Sequence, residues 1–257
     1  MRRVIWICIL ILFLPLAFAQ NSHIRLLAVS EGAGIEVGQV VDLYLEVQPG
    51  EGRIFIDSYP LTRTDTQIST RFANRYACDY ANVDCSKLDF IYTIKSNSPT
   101  IGGPSASAAI ATLTIAKLKD TPIDENIALT GTLNSGGLVG VVGGVKEKIL
   151  AAKIAGLHTV LIPKGSRLYA FAENDTLNGS KSPDVNWTAF GEEYKIRVIE
   201  VTTIDEVLRQ FGVETKEKMN GSVMLDPYYE QTMKALAEDL CNQTVSLSMQ
   251  VCIKQYS

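Results

Sequence analysis

The sequence predicts an α/β protein, with mixed sheets and packed helices in the α+β manner, and three observations carry that expectation. Between residues 90 and 212, apolar strand-like runs alternate with stretches of helical spacing. Ahead of them, "VVDLYLEVQPGEGRIFID" alternates apolar and polar residues on either side of a turn signal. The 257 residues, 46% of them apolar, suffice for a sizeable core. The chain divides into a leader over 1–19, a folded domain over 24–212, and a linker with a helical appendage over 213–257.

In the leader, Arg2 and Arg3 form a charged start, Val4 to Leu16 an apolar run, and Ala17-Phe18-Ala19 a small-x-small cleavage site. The run is short of the roughly 20 residues of a membrane span. It reads as a cleaved signal peptide, with an uncleaved membrane anchor as the alternative. Either way the body of the protein is expected outside the cytoplasm, secreted or anchored by this segment. From Ile24 to Asp57 the pattern is β, with "PGEG" as a hairpin turn. "TQISTRFANRYACDYA" is helical, "LDFIYTIKS" a strand, and a loop leads to a helix carrying Ser105 and running to Leu118. "ENIALTGTLNSGGLVGVVGGV" reads as two short strands about a glycine-rich turn. "KEKILAAKIAG" is a helix ended by Gly156, and "TVLIPKG" a buried strand. Residues 165–190 form a polar surface stretch and "KIRVIEV" a strand. "TTIDEVLRQFG" is a helix with Thr203 and Glu206 as a capping box. Residues 226–257 look helical.

Composition narrows the function classes. A net charge of −4 without a basic, aromatic-interleaved stripe argues against nucleic acid. Two histidines, with no HExxH and no CxxC, leave no metal motif, and no GxxxxGK[ST] is present to cradle a nucleotide. No cofactor is expected. Without the leader, Cys78, Cys85, Cys241 and Cys252 remain, an even set that suits disulfides in an exported chain. Cys78–Cys85 would close a small loop. Cys241 and Cys252 would lie about 16 Å apart on one unbroken helix, too far to bond. Three connectivities stay open. Five N-x-S/T sequons, at Asn174, Asn178, Asn186, Asn220 and Asn242, fit an exported chain.

The chemistry concentrates in two stretches. In "GGPSASAAIATLTIAKLKD", Pro104 suits a first helical turn and Ser105 follows it on a bare start of small residues. That pattern serves close packing, or a nucleophile at a positive helix end. In "GGVKEKILAAKIAG", a helical phase of about 100° per residue puts Lys146 and Lys153 about 20° apart on one side. Lys148 falls on the opposite side with Ala151, Ala152 and Ala155. An inward lysine among alanines is desolvated, which favours the neutral amine that a general base needs. Ser105 and Lys148 thus suggest a Ser–Lys dyad that needs no histidine. Thr130, in "ALTGT", is placed to orient the amine, although its spacing alone also fits an ordinary strand end.

The run 103–165 resembles the proteolytic domain of the Lon proteases through three motifs in register, "GPSA", "TG" after a strand, and "GG-x-K-E-K", with a weaker match over 24–212. The resemblance implies the Lon proteolytic fold, Ser105 as nucleophile, Lys148 as general base and Thr130 as its support. The 43 residues between Ser105 and Lys148 match the family's separation. Ser107 makes the motif resemble the archaeal type. Gly102 and Thr132 stand where many members carry acidic residues. The resemblance further implies a homo-oligomeric ring. With no phosphate loop, the expectation is a stand-alone, ATP-independent serine endopeptidase acting on peptides or unfolded protein through an acyl-enzyme. The alternative is a non-catalytic binding or assembly module on the same fold.

Overall fold

The computed structural model describes residues 22–32, 35–166, 185–215 and 227–245. The leader 1–19, Cys252, and the sequons at Asn174, Asn178 and Asn220 lie outside the described residues. The chain comprises two compact units, Met1–Thr215 and Lys216–Ser257.

In the first unit, β1 (Ser22–Gly32), β2 (Ile35–Pro49) and β3 (Ile54–Thr62) precede helix α1 (Thr64–Ala81) and β4 (Leu88–Ile101). A 3-10 turn (Pro104–Ala106) leads directly into α2 (Ser107–Leu118). Three short strands follow, β5 (Ile127–Leu129), β6 (Thr132–Leu133) and β7 (Val139–Gly140). Helix α3 (Val145–Ile154), β8 (Thr159–Pro163), α4 (Trp187–Glu193), β9 (Arg197–Val201) and α5 (Ile204–Gln210) complete the unit. The second unit contains α6 (Pro227–Val245). Among the described residues no helix is long and apolar enough to cross a membrane.

The large sheet has seven strands in the order β3-β4-β2-β1-β5-β8-β9, and β6 and β7 form a separate pair. The antiparallel pairs are β1–β2 and β2–β4, whereas β1–β5, β5–β8, β8–β9 and β3–β4 are parallel. The sheet is thus mixed, as the fold class requires.

The expected hairpin about "PGEG" does not form. The strands flanking it, β2 and β3, are separated by β4. The reason is Asp89, at the start of β4 and 2% exposed. Its Oδ1 accepts the N–H groups of Glu51 (2.8 Å) and Arg53 (2.9 Å), and its Oδ2 receives the Arg53 guanidinium (3.1 and 2.9 Å). The turn wraps around a buried carboxylate of the incoming strand, so its donors go to Asp89 and not across a hairpin ladder. The glycine-rich stretch also differs from expectation. It yields three short strands: β5 joins the large sheet, while "NSGG" turns between β6 and β7. The cap of α5 is displaced by one residue. Thr203 Oγ1 accepts the Glu206 N–H, but Glu206 reaches the Thr202 N–H (2.6 Å) rather than that of Thr203.

Each central strand is buried on both faces because successive side chains alternate. Leu26, Leu129 and Leu161 point to one core with residues of α1, α2 and α5, while Leu27, Ala128, Val160 and Ile162 point to a second with α3 and Trp187. Helix α2 is buried on all sides from Ser107 to Ala116. Ala108, Ala109 and Ala111 are fully buried, so the train of small residues lets α1 and the sheet close on one helix. A polar tie crosses this core. Asn74 of α1 donates to Tyr92 Oη (3.0 Å), which lies 2.7 Å from Thr114 Oγ1 of α2. Burial pushes the Tyr92 phenol up to about 12. Cys78, on α1, is bonded to Cys85, just before β4. Tyr80 of α1 donates a hydrogen bond to Asp205 of α5.

The Arg53 and Glu51 N–H groups, and then the Arg53 side chain, hold the Asp89 carboxyl below its ordinary value. A depressed carboxyl stabilises the fold above its unfolded value of about 3.9, and that contribution is lost as pH falls through the folded value. Asp89→Asn should therefore lower the melting temperature at pH 7, with the gap from wild type narrowing as pH drops below about 4. Equal melting temperatures at pH 7 would show that the charge holds nothing.

Candidate active site

Ser105 lies in the 3-10 turn Pro104–Ala106, not in the α-helix that the sequence suggested, and it is partly exposed. The turn follows from Gly103, whose backbone (φ 96, ψ 151) is one that glycine tolerates and other residues rarely adopt. The chain swings at this residue from the end of β4 into the Pro104 turn. Three consecutive carbonyls then have partners. Gly103 O accepts from Thr66 Oγ1 (3.2 Å), Pro104 O from Ser107 Oγ (2.7 Å), and Ser105 O from Gly131 N (2.8 Å).

Ser107 is buried, and its hydroxyl also accepts the Leu133 N–H (2.9 Å). It joins the serine turn to β6, so this second serine of "SAS" is structural. Gly102 is covered by the Arg63 side chain: a Cβ there would lie 2.2 Å from Arg63 Cδ. An acidic side chain at 102 would need Arg63 to move.

Thr130 follows β5, with its N–H on Leu161 O (3.1 Å). Gly131, the next residue, donates to Ser105 O and accepts the Ala108 N–H (3.2 Å). The end of β5 and the serine turn are therefore in direct contact. Thr130 is fully buried, and its Oγ1 has no hydrogen-bond partner. The expected bond from Thr130 to the lysine is not made in this structure. A buried hydroxyl left unpaired costs about 1–3 kcal/mol, a cost usually met at a site with a use for the group.

Lys148 sits in the first turn of α3, its N–H bonded to Gly144 O (3.0 Å). It is 3% exposed, whereas Lys146 and Lys153 are exposed. The helical phase read from the sequence is thus the one adopted. Ala151 and Ala152 are buried with Lys148, but Ala155, the C-cap of α3, is exposed. Helix α3 is pressed onto the β1–β2 ladder at the Val29–Gly38 pair. A Cβ on Gly38 would fall 2.0 Å from Glu147 O, and one on Gly144 2.3 Å from Val29 Cγ2. Val29 lies three residues beyond Leu26, which pairs with Leu129 of parallel β5. The first turn of α3 and the serine turn thus both lie at the carboxyl end of the parallel strands, one on each face of the sheet.

Sequence reasoning missed Thr66, in the first turn of α1, which reaches the residue two before Ser105. The signal available was the hydroxyl-rich "TRTDTQIST", of which the sequence reading took only "TQIST", as part of a helix.

Residues 84–171 match the Lon protease (S16) C-terminal proteolytic domain, and this span includes Ser105, Thr130 and Lys148. The archaeal Lon protease of Pyrococcus abyssi is 35% identical over 139 residues, 54% of this chain and 12% of that protein. That of Archaeoglobus fulgidus is 31% identical over 196 residues, 75% of this chain and 28% of that protein. The Lon protease of Ureaplasma parvum is 33% identical over 97 residues, 38% of this chain and 12% of that protein. The chain therefore spans less than a third of the length of each of these relatives. On these matches residues 84–171 are similar to the proteolytic domain of the Lon proteases.

Proposed function

We propose that the protein is an ATP-independent serine endopeptidase that hydrolyses peptide bonds through a Ser105–Lys148 dyad. The observation that carries the reading is the burial of Lys148 while its neighbours Lys146 and Lys153 stay exposed, on a helix that starts, like the serine turn, at the carboxyl end of the parallel strands. Burying an ammonium is costly, so an inward lysine favours its neutral amine. That amine takes the Ser105 hydroxyl proton as Oγ attacks the scissile carbonyl carbon. The resulting ammonium returns the proton to the leaving amine, leaving an acyl-enzyme on Ser105. Water, deprotonated by the same amine, then attacks the acyl carbon; the acyl–Oγ bond breaks, the acid leaves, and the ammonium returns its proton to Ser105 Oγ. The unpaired Thr130 hydroxyl is an acceptor suited to orient the ammonium. Backbone N–H groups of the serine turn supply the oxyanion donors.

The substrates are peptides or unfolded polypeptide, which a proteolytic domain can cleave without first unfolding them. The reading of residues 1–19 as a signal peptide or anchor supports an activity outside the cytoplasm, secreted or held at the membrane. The family resemblance supports a homo-oligomeric ring.

Ser105→Ala should abolish peptide hydrolysis with an unchanged melting curve, and a fluorophosphonate probe should label wild type at Ser105 only. Absent labelling of folded wild type would favour the non-catalytic module. Lys148→Arg should be nearly inactive, because a guanidinium stays protonated, whereas Lys146→Arg should keep most activity. The reverse ranking would remove the dyad assignment. Gly38→Ala would force α3 off the sheet and should cost about 2 kcal/mol or more of stability, with loss of activity. A variant as stable and active as wild type would show that the contact is dispensable. Added ATP should leave turnover of the purified chain unchanged; reproducible stimulation would contradict a nucleotide-free mechanism.

A further inference from the structure

We propose that Thr66, with Asp65 beside it, is a positioning residue for Ser105, its hydroxyl fixing the Gly102–Gly103 hinge that aims the serine. This rests on the reading of Ser105 as the nucleophile.

The hinge needs a clamp. Two successive glycines have wide backbone freedom, and Gly103 holds one particular conformation (φ 96, ψ 151). On one side, β4 ends at Ile101, paired with Thr62. On the other, Ser107 and Gly131 hold the carbonyls of Pro104 and Ser105. Neither anchor touches residues 102 and 103. The first turn of α1 does. The Arg63 side chain lies over Gly102, and Thr66 Oγ1 donates to Gly103 O at 3.2 Å.

Thr66 is fully buried, so water offers its hydroxyl no alternative partner. Its other acceptor is Asp65 Oδ1, at a longer 3.4 Å, and the same oxygen takes the Thr66 N–H at 2.7 Å. Arg63 Nε lies 3.7 Å from Asp65 Oδ2. Partial burial pushes the Asp65 carboxyl up, but the N–H groups of Gly103 and Thr66, with Arg63, outweigh it and hold it below its ordinary value. Arg63, Asp65 and Thr66 thus form one unit gripping both glycines. A misplacement of about 1 Å at a nucleophile can cost two orders of magnitude in rate, so a clamp two residues away bears on turnover without touching substrate.

The test uses the full chain, with four readouts: fluorophosphonate labelling of Ser105, kcat and KM on one peptide, amide hydrogen exchange over 102–107, and thermal melting. Thr66→Val keeps the shape and removes the donor. It should slow labelling and kcat about tenfold, leave KM within about twofold, and raise exchange over 102–107. Thr66→Ser should restore all of these. A merely structural threonine would lower the melting temperature without a selective loss in kcat or rescue by serine. Wild-type labelling and exchange in Thr66→Val would overturn the proposal. If Thr66→Val does not fold, Asp65→Ala decides: it should raise exchange over 102–107, and unchanged exchange overturns the clamp. Folded wild type that fails to label at Ser105 would defeat the nucleophile reading, while exchange still tests the clamp.

Discussion

Two hydrogen bonds at Gly131 hold the centre of this molecule together. Its N–H goes to Ser105 O at 2.8 Å and its carbonyl takes the Ala108 N–H at 3.2 Å. One residue at the end of β5 is thereby tied to both the serine turn and the first turn of α2. Such a pair has a single register, so the turn inherits the rigidity of the sheet. A two-residue shift in either partner would leave buried peptide groups unpaired, at about 1–3 kcal/mol each. Ser107 adds a further tie to Leu133, and β6 is carried along. The partly exposed serine is thus supported from behind by a turn whose Gly103, Pro104 and Ser105 carbonyls all have partners.

The other half of the arrangement comes from the opposite face of the sheet. The helix bearing Lys148 approaches β2 so closely that residue 38 can carry no side chain. That closeness buries the lysine at all. Looser packing would let a four-carbon stem reach water, as Lys146 and Lys153 do from the same helix. Parallel pairing of β1 with β5 sets the level at which α3 and the serine turn start. The levels at which α3 and the serine turn begin therefore reflect sheet register.

Much of this was legible in the sequence. The inward phase of Lys148 was, because helical periodicity is a local property. The central strands were, because burial on both faces leaves unbroken apolar runs such as "TVLIP". The false hairpin at "PGEG" failed for a non-local reason: its donors are claimed by Asp89, 36 residues from Arg53. The 3-10 geometry at Ser105 was hidden because Pro104 suits either kind of first turn. The contact of Thr66 with Gly103 joins residues 37 apart and leaves no periodic signature. The Cys78–Cys85 bond was one of three open pairings. The 18-residue helix α1 and the short return to β4 bring those two together.

The position of β3 at the edge of the sheet has a colloidal consequence. An outermost strand exposes a row of backbone donors and acceptors on which another chain can polymerise. Here the row is interrupted. Pro60 brings no N–H to either side, and the pairing with β4 slips between Tyr59 and Leu61. Leu61 is 79% exposed and Phe55 43%, so the apolar surface that would drive stacking is present. The broken ladder between them denies that surface a continuous template. An interrupted edge of this kind is a poorer template for edge-to-edge pairing than a continuous one.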